Sequence, residues 1–107
     1  MTSKTLGIIG GTGWLGRALA EALLDSQFIA PQHLLISNRS GVTAFESGVR
    51  LLADNQQLVD QSDIVVLSIR PEQFQELRIN ARGKQVISLM AGVSAQAISL
   101  ATGAQVV

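Results

Sequence analysis

The sequence predicts an α/β fold, a doubly wound parallel sheet of about six strands with helices on both faces. Three observations predict it. Short apolar runs bounded by turn residues alternate along the chain with stretches whose apolar residues return at helical spacing, the pattern of strand–helix units joined by crossovers. One run, Ile64-Val-Val-Leu-Ser68, is almost wholly apolar and β-branched, as a strand covered on both faces must be. A glycine cluster, Gly10, Gly11 and Gly13 with Gly16 beyond, lies where the first apolar run passes directly into the first helical pattern.

Taken in order, residues 1–4 are a short leader and residues 5–9 the first strand. The first helix covers Trp14–Asp25, with Leu15, Ala18, Leu19, Ala22 and Leu23 at i, i+3, i+4, i+7 and i+8 as its inward face and Arg17, Glu21 and Asp25 on the other side. A loop at 27–32 containing Pro31 leads to a second strand at 33–37 and a turn at Asn38-Arg39-Ser40-Gly41. A short helix at 42–47, ended by Gly48, precedes a third strand at 49–53. Asp54 can cap a helix reaching 61, residues 64–68 are the fourth strand, and Pro71 suits the first turn of a helix over 71–77. Residues 85–89 are the fifth strand, Ser94 caps a helix to 101 that Gly103 ends, and Val106-Val107 begin a sixth strand.

The composition narrows the function. The 107 residues are 47% hydrophobic and 15% charged, which describes one globular domain with a proper core. Eight basic residues balance eight acidic ones, so no cationic excess argues for nucleic acid or for an anionic membrane surface. There is no cysteine, no apolar run long enough to span a bilayer, and no signal-peptide pattern; a soluble cytoplasmic protein is the expectation. No cluster has metal-ligand spacing, no pairing suggests nucleophilic catalysis, and His33, the single histidine, lies at the wrong end of its strand for a catalytic role. No catalytic residue is assigned.

Ligands in such sheets bind beyond the carboxyl ends of the strands, so the residues that follow each strand carry the functional reading. Gly11-x-Gly13-x-x-Gly16 is a dinucleotide-binding turn: its glycines permit the tight turn, the approach of backbone to a pyrophosphate and close helix packing. The helix behind it offers unpaired N–H groups to the phosphates. Gly10, Gly13 and Gly16 also form GxxGxxG, the spacing of short-chain dehydrogenases and sugar epimerases; a turn built for structure alone is the plainer alternative. Gly10, Gly11, Thr12, Gly13, Trp14 and Leu15 are the candidate pyrophosphate residues.

After the second strand, roughly 20 residues past the glycines, an NAD domain places an acidic residue on the ribose 2′-OH. Here stand Ser37, Asn38, Arg39 and Ser40 instead. A guanidinium with hydroxyl and amide neighbours fits a 2′-phosphate, which favours NADP(H) over NAD(H). A solvated surface arginine is the bland alternative. Asn55 can reach the adenosine ribose, or merely help cap its helix. Ser68, Ile69, Arg70 and Pro71 cross the mouth of the site near the nicotinamide ribose. Leu89, Met90 and Ala91 offer small apolar contacts to a nicotinamide ring. Ordinary turn-building would also account for these last two segments. Trp14 either packs or shields the cofactor.

These residues in this order resemble the N-terminal cofactor domain of the pyrroline-5-carboxylate reductase family. The likeness is carried by Gly-Ile-Ile-Gly-Gly-x-Gly-x-x-Gly-x-Ala-Leu from Gly7 to Leu19, Ser-Asn-Arg-Ser at 37–40, Asp-Asn at 54–55, Ser-Asp-Ile-Val-Val-Leu-Ser-Ile-Arg-Pro-Glu at 62–72, and Ile-Ser-Leu-Met-Ala-Gly-Val-Ser at 87–94. The resemblance implies a Rossmann-type domain followed by a helical dimerisation domain, and reduction of 1-pyrroline-5-carboxylate to proline with NAD(P)H. It implies that residues 11–15 hold the pyrophosphate, 38–40 the 2′-phosphate, Asn55 a ribose, and 68–71 and 89–91 the nicotinamide side. The glycine turn has an extra residue, Trp14-Leu15 replace the family's Asn-Met pair, Arg70 stands for its lysine and Met90 for its alanine. The helical domain and its substrate pocket are absent from these residues, so the chain reads either as a fragment or as a protein reduced to its cofactor domain. The expectation is an NADP(H)-binding domain with little or no turnover alone, and a small imine as partner only together with the missing domain. Two alternatives stay open: a non-catalytic NADP-binding module, and another NADP reductase such as a deazaflavin-dependent one. Epimerases need a Tyr-x-x-x-Lys pair, and the chain has no tyrosine.

Overall fold

The computed structural model describes residues 4–10, 14–37 and 48–106. Among them the chain forms six parallel strands in the order β3-β2-β1-β4-β5-β6, the doubly wound arrangement. The strands are β1 Leu6–Ile9, β2 Leu34–Ser37, β3 Arg50–Leu52, β4 Ile64–Leu67, β5 Gln85–Ser88 and β6 Gln105–Val106. The helices are α1 Trp14–Asp25, α2 Asn55–Asp60, α3 Pro71–Glu76 and α4 Ala95–Thr102. Strand order reverses between β1 and β4, which pair in register from Leu6 with Ile64 to Ile9 with Leu67. That pair marks the switch point where a crevice opens.

Alternation along the strands sends side chains into two cores. Ile9, Leu35, Val65, Leu67 and Val86 pack with Leu58 and Val59 of α2 and Ile98 of α4. Leu6, Ile8, Leu34, Ile36 and Val66 pack with Ala20 of α1 and with Ile29. Burial of side chains this size removes them from water at a gain of roughly 1.5–3 kcal/mol each, so β1, β2 and β4, covered on both faces, anchor the fold. Gly7 in β1 allows α2 to lie close: a Cβ there would stand 2.5 Å from Leu58 Cδ2 and would also meet Ser62 Oγ.

The helix ends follow the chemistry of their residues. The Asp54 side chain accepts from Gln56 N (3.0 Å), Ser94 Oγ accepts from Ala97 N (3.1 Å), and Pro71 stands at the start of α3. Gly103 closes α4 with φ +78 and donates its N–H to Ser99 O.

Four expectations shift. The buried stripe of α1 is Gly16, Leu19, Ala20, Leu23 and Leu24, rotated by one residue step from the one read off the sequence; Leu15 is 45% exposed, and Ala18 and Ala22 face solvent. Consecutive apolar residues across Ala18–Leu19–Ala20 and Ala22–Leu23–Leu24 allow either stripe, and packing on β1 selects the one with small Gly16 and Ala20 at the contact. His33 belongs to a 3-10 turn, Pro31–His33, rather than to β2, because Pro31 fixes the backbone there. Strand β5 ends at Ser88, one residue short of the expected end, with Val86 fully buried while Gln85 and Ile87 are exposed. Helix α4 runs to Thr102, one residue past the expected end, where Thr102 Oγ1 donates to Ile98 O (2.8 Å). The short helix expected at 42–47 and the end of the sixth strand at Val107 lie outside the described residues.

Candidate dinucleotide cleft

At the carboxyl end of β1 the backbone turns through Gly10 at φ +85. A Cβ at this position would collide with the carbonyl oxygen of Ser68 and lie 2.8 Å from Ile69 Cγ2. Glycine is therefore required here twice, for the left-handed conformation and for the contact with the end of β4. The ladder continues one residue beyond β4, with Ser68 N donating to Ile9 O (2.9 Å), and one beyond β5, with Leu89 N donating to Leu67 O (2.9 Å). Helix α1 starts at Trp14, four residues beyond Gly10, and Gly16 in its first turn is buried.

Between these strand ends lies a cleft of about 690 Å³. Ile9 and Gly10 belong to its β1 side. Ser37, Ala53, Asp54, Asn55 and Gln56 line it from β2, β3 and the start of α2, and Ser68, Ile69, Gln73, Glu76, Leu77 and Arg78 from β4 and α3. Ser37 is buried, and its Oγ donates to Asn55 Oδ1 (2.6 Å), joining the end of β2 to the start of α2. With its oxygen so engaged, the Asn55 amide keeps its N–H donors for another partner. Gln56 ties the start of α2 to the segment after α3: its Nε2 donates to Asn80 O (3.0 Å) and its Oε1 accepts from Asn80 N (2.8 Å).

The cleft brings together five of the residues singled out from the sequence, Gly10, Ser37, Asn55, Ser68 and Ile69. It does not include the others that are described. Arg70 and Pro71 are exposed at the start of α3, where Gln73 Oε1 accepts from Arg70 N (2.8 Å). Leu89 is half-buried against the α1-side core and Met90 against the opposite core, Met90 N donating to Ser88 Oγ (3.0 Å); Ala91 is exposed. Leu15 is on the exposed side of α1. Gly11, Thr12, Gly13, Asn38, Arg39 and Ser40 lie outside the described residues, as does the side chain of Trp14.

Reasoning from strand ends alone missed Gln56, Gln73, Glu76, Leu77 and Arg78. Part of the signal was present: Gln73 and Glu76 stand at i and i+3 and so share one face of α3.

The NADP oxidoreductase, coenzyme F420-dependent family has a model that matches residues 5–92. The chain belongs to that family. Within it, the resemblance to pyrroline-5-carboxylate reductases is borne out. The chain is 32% identical over 106 residues to the pyrroline-5-carboxylate reductase of Corynebacterium melassecola, covering 88% of this chain and 38% of that protein. The pyrroline-5-carboxylate reductase structure from Coxiella burnetii superimposes with a TM-score of 0.86 at 26% identity, over 98% of this chain and 43% of that one. The Plasmodium falciparum pyrroline carboxylate reductase with NADP bound shares the fold, with a TM-score of 0.78 at 22% identity, over 95% of this chain and 39% of that one. The chain thus spans about two-fifths of the length of the relatives it matches. No helix among the described residues is long and apolar enough to cross a membrane.

Proposed function

We propose that these 107 residues are the NADP(H)-binding domain of an imine reductase of the pyrroline-5-carboxylate reductase type. The observation that carries the reading is the cleft at the β1/β4 switch point, in a chain whose similarity to those reductases extends over nearly its whole length. The groups present suit a dinucleotide: a glycine at the tight turn, and at the start of α2 an amide whose oxygen is held by the buried Ser37 hydroxyl and whose N–H donors remain for a ligand. When bound, the dinucleotide supplies a hydride to the carbon of a C=N bond.

The chain's own residues bind and orient. Residues 10–15 hold the pyrophosphate at the start of α1. Asn38, Arg39 and Ser40 receive the 2′-phosphate, and Asn55, oriented by the Ser37 hydroxyl, the adenosine ribose. Residues 68–71 and 89–91 fix the nicotinamide side, where the segment after β5 offers small apolar contacts to the ring. The family resemblance places the substrate pocket in a helical domain that follows the cofactor domain, so these 107 residues alone should bind cofactor and turn over little. Proline synthesis at full rate by these residues alone would overturn this.

Calorimetric titration with NADPH and then NADH tests the reading, with tryptophan fluorescence from Trp14 as a second signal. NADPH should saturate at the lower concentration. Arg39→Asp should weaken NADPH binding about 10- to 100-fold and NADH binding far less, as the loss of a charge-assisted contact does. Equal losses would remove Arg39 as the phosphate reader. The family match also supports a second reading, a deazaflavin-dependent NADP reductase. In that case the domain's binding properties stay the same, and hydride exchange of the complete enzyme with the deazaflavin separates the two.

A further inference from the structure

We infer that Arg78 sets dinucleotide affinity, its guanidinium forming one side of the slot that takes the adenine ring. This rests on the cleft being the dinucleotide site. Helix α3 is short, and the chain leaves it at Leu77 in extended conformation (φ −71, ψ 131), so that Leu77 and Arg78 line the cleft from the α3 side, as Asn55 and Gln56 line it from the α2 side. Two contacts hold this segment in place. The Gln56 side-chain amide clamps the Asn80 main chain through a reciprocal pair of hydrogen bonds, and Arg78 Nη1 donates to Gln75 O (2.8 Å) and Leu77 O (3.1 Å).

An arginine tethered by one nitrogen to neutral carbonyls keeps its charge and its flat face. A planar, weakly hydrated cation next to an apolar leucine is a surface on which a heteroaromatic ring stacks. The α2 side of the cleft carries amides and the Asn55 N–H donors, which suit the polar edge of a purine and its ribose. The charges favour the ring over a phosphate. Arg78 is the cation among the described lining residues, but Glu76 lies on the same side two residues away and repels a dianion while leaving a neutral base unaffected.

Calorimetry on the 107-residue protein with NADPH and with NADH, for the wild type, Arg78→Ala and Arg78→Lys, tests this. Arg78→Ala should weaken both cofactors by the same factor, about threefold to tenfold. Its thermal melt should fall only slightly, because the side chain is exposed and so are the two hydrogen bonds it loses. Arg78→Lys should stay close to the alanine variant, since it keeps the charge and loses the plate. Unchanged affinity in Arg78→Ala overturns the assignment. So does a loss confined to NADPH that lysine restores, which would mark a phosphate contact. A wild-type protein that binds neither cofactor overturns the dinucleotide reading of the cleft, and this assignment falls with it.

Discussion

The two ends of the sheet are built differently. At the amino end, neighbouring segments are tied by hydrogen bonds: Thr5 N donates to Asp63 Oδ2 (2.8 Å), Asp63 N to Thr5 O (2.7 Å), Ala81 N to Thr102 O (2.7 Å), and the buried Ser62 Oγ to Leu58 O (2.7 Å). At the carboxyl end, β1 and β4 approach only because Gly10 has no side chain, and the polar groups of Ser37 and Asn55 stand beside an open cleft. One end spends hydrogen bonds on tying its own segments together. The other keeps donors and backbone available, which is what a binding site requires.

Substitutions at the two ends should therefore divide into those that move stability alone and those that move stability and binding together. Gly10→Ala places a side chain at positive φ against the Ser68 carbonyl, and should cost about 2–5 kcal/mol of stability in urea unfolding and abolish NADPH binding. Retained binding would mean that the ends of β1 and β4 can separate without harm to the site. Gly7→Ala, on the same strand but facing α2, should cost about 1–3 kcal/mol through overpacking on Leu58, with NADPH affinity held within about twofold. Loss of affinity there would erase the distinction. Ser37→Ala removes the bond to Asn55 and should cost about 1 kcal/mol, accompanied by a several-fold weaker NADPH titration. Asp63→Ala, at the amino end, should cost only about 0.5 kcal/mol, because the Thr5 contact is exposed, and leave the titration unchanged.

Strand and helix identities were legible because their signals are local. Asp54, Pro71, Ser94 and Gly103 mark helix ends through their own backbone chemistry, and Ile64-Val-Val-Leu67 has one plausible burial. The inward face of α1 was not legible, because its runs of alanine and leucine permit two stripes that differ by one residue. Of the site, the β1, β2 and β4 ends with Asn55 were found from the rule that ligands bind beyond strand ends. The contribution of α3 and of Gln56 was not found, because it depends on how far a six-residue helix extends over the crevice and where the chain goes after it.

By itself the sequence determined the alternation of strands and helices, the glycine at the β1 turn and the absence of an acidic residue after β2, since each is a property of neighbouring residues and of the backbone they permit. The tertiary structure alone decided that Gly10 meets Ser68, that Ser37 joins Asn55 and that Gln56 clamps Asn80 beside Arg78. Those pairs are 58, 18 and 24 residues apart in the chain, and only the strand order and the packing of helices on the sheet bring them within bonding distance.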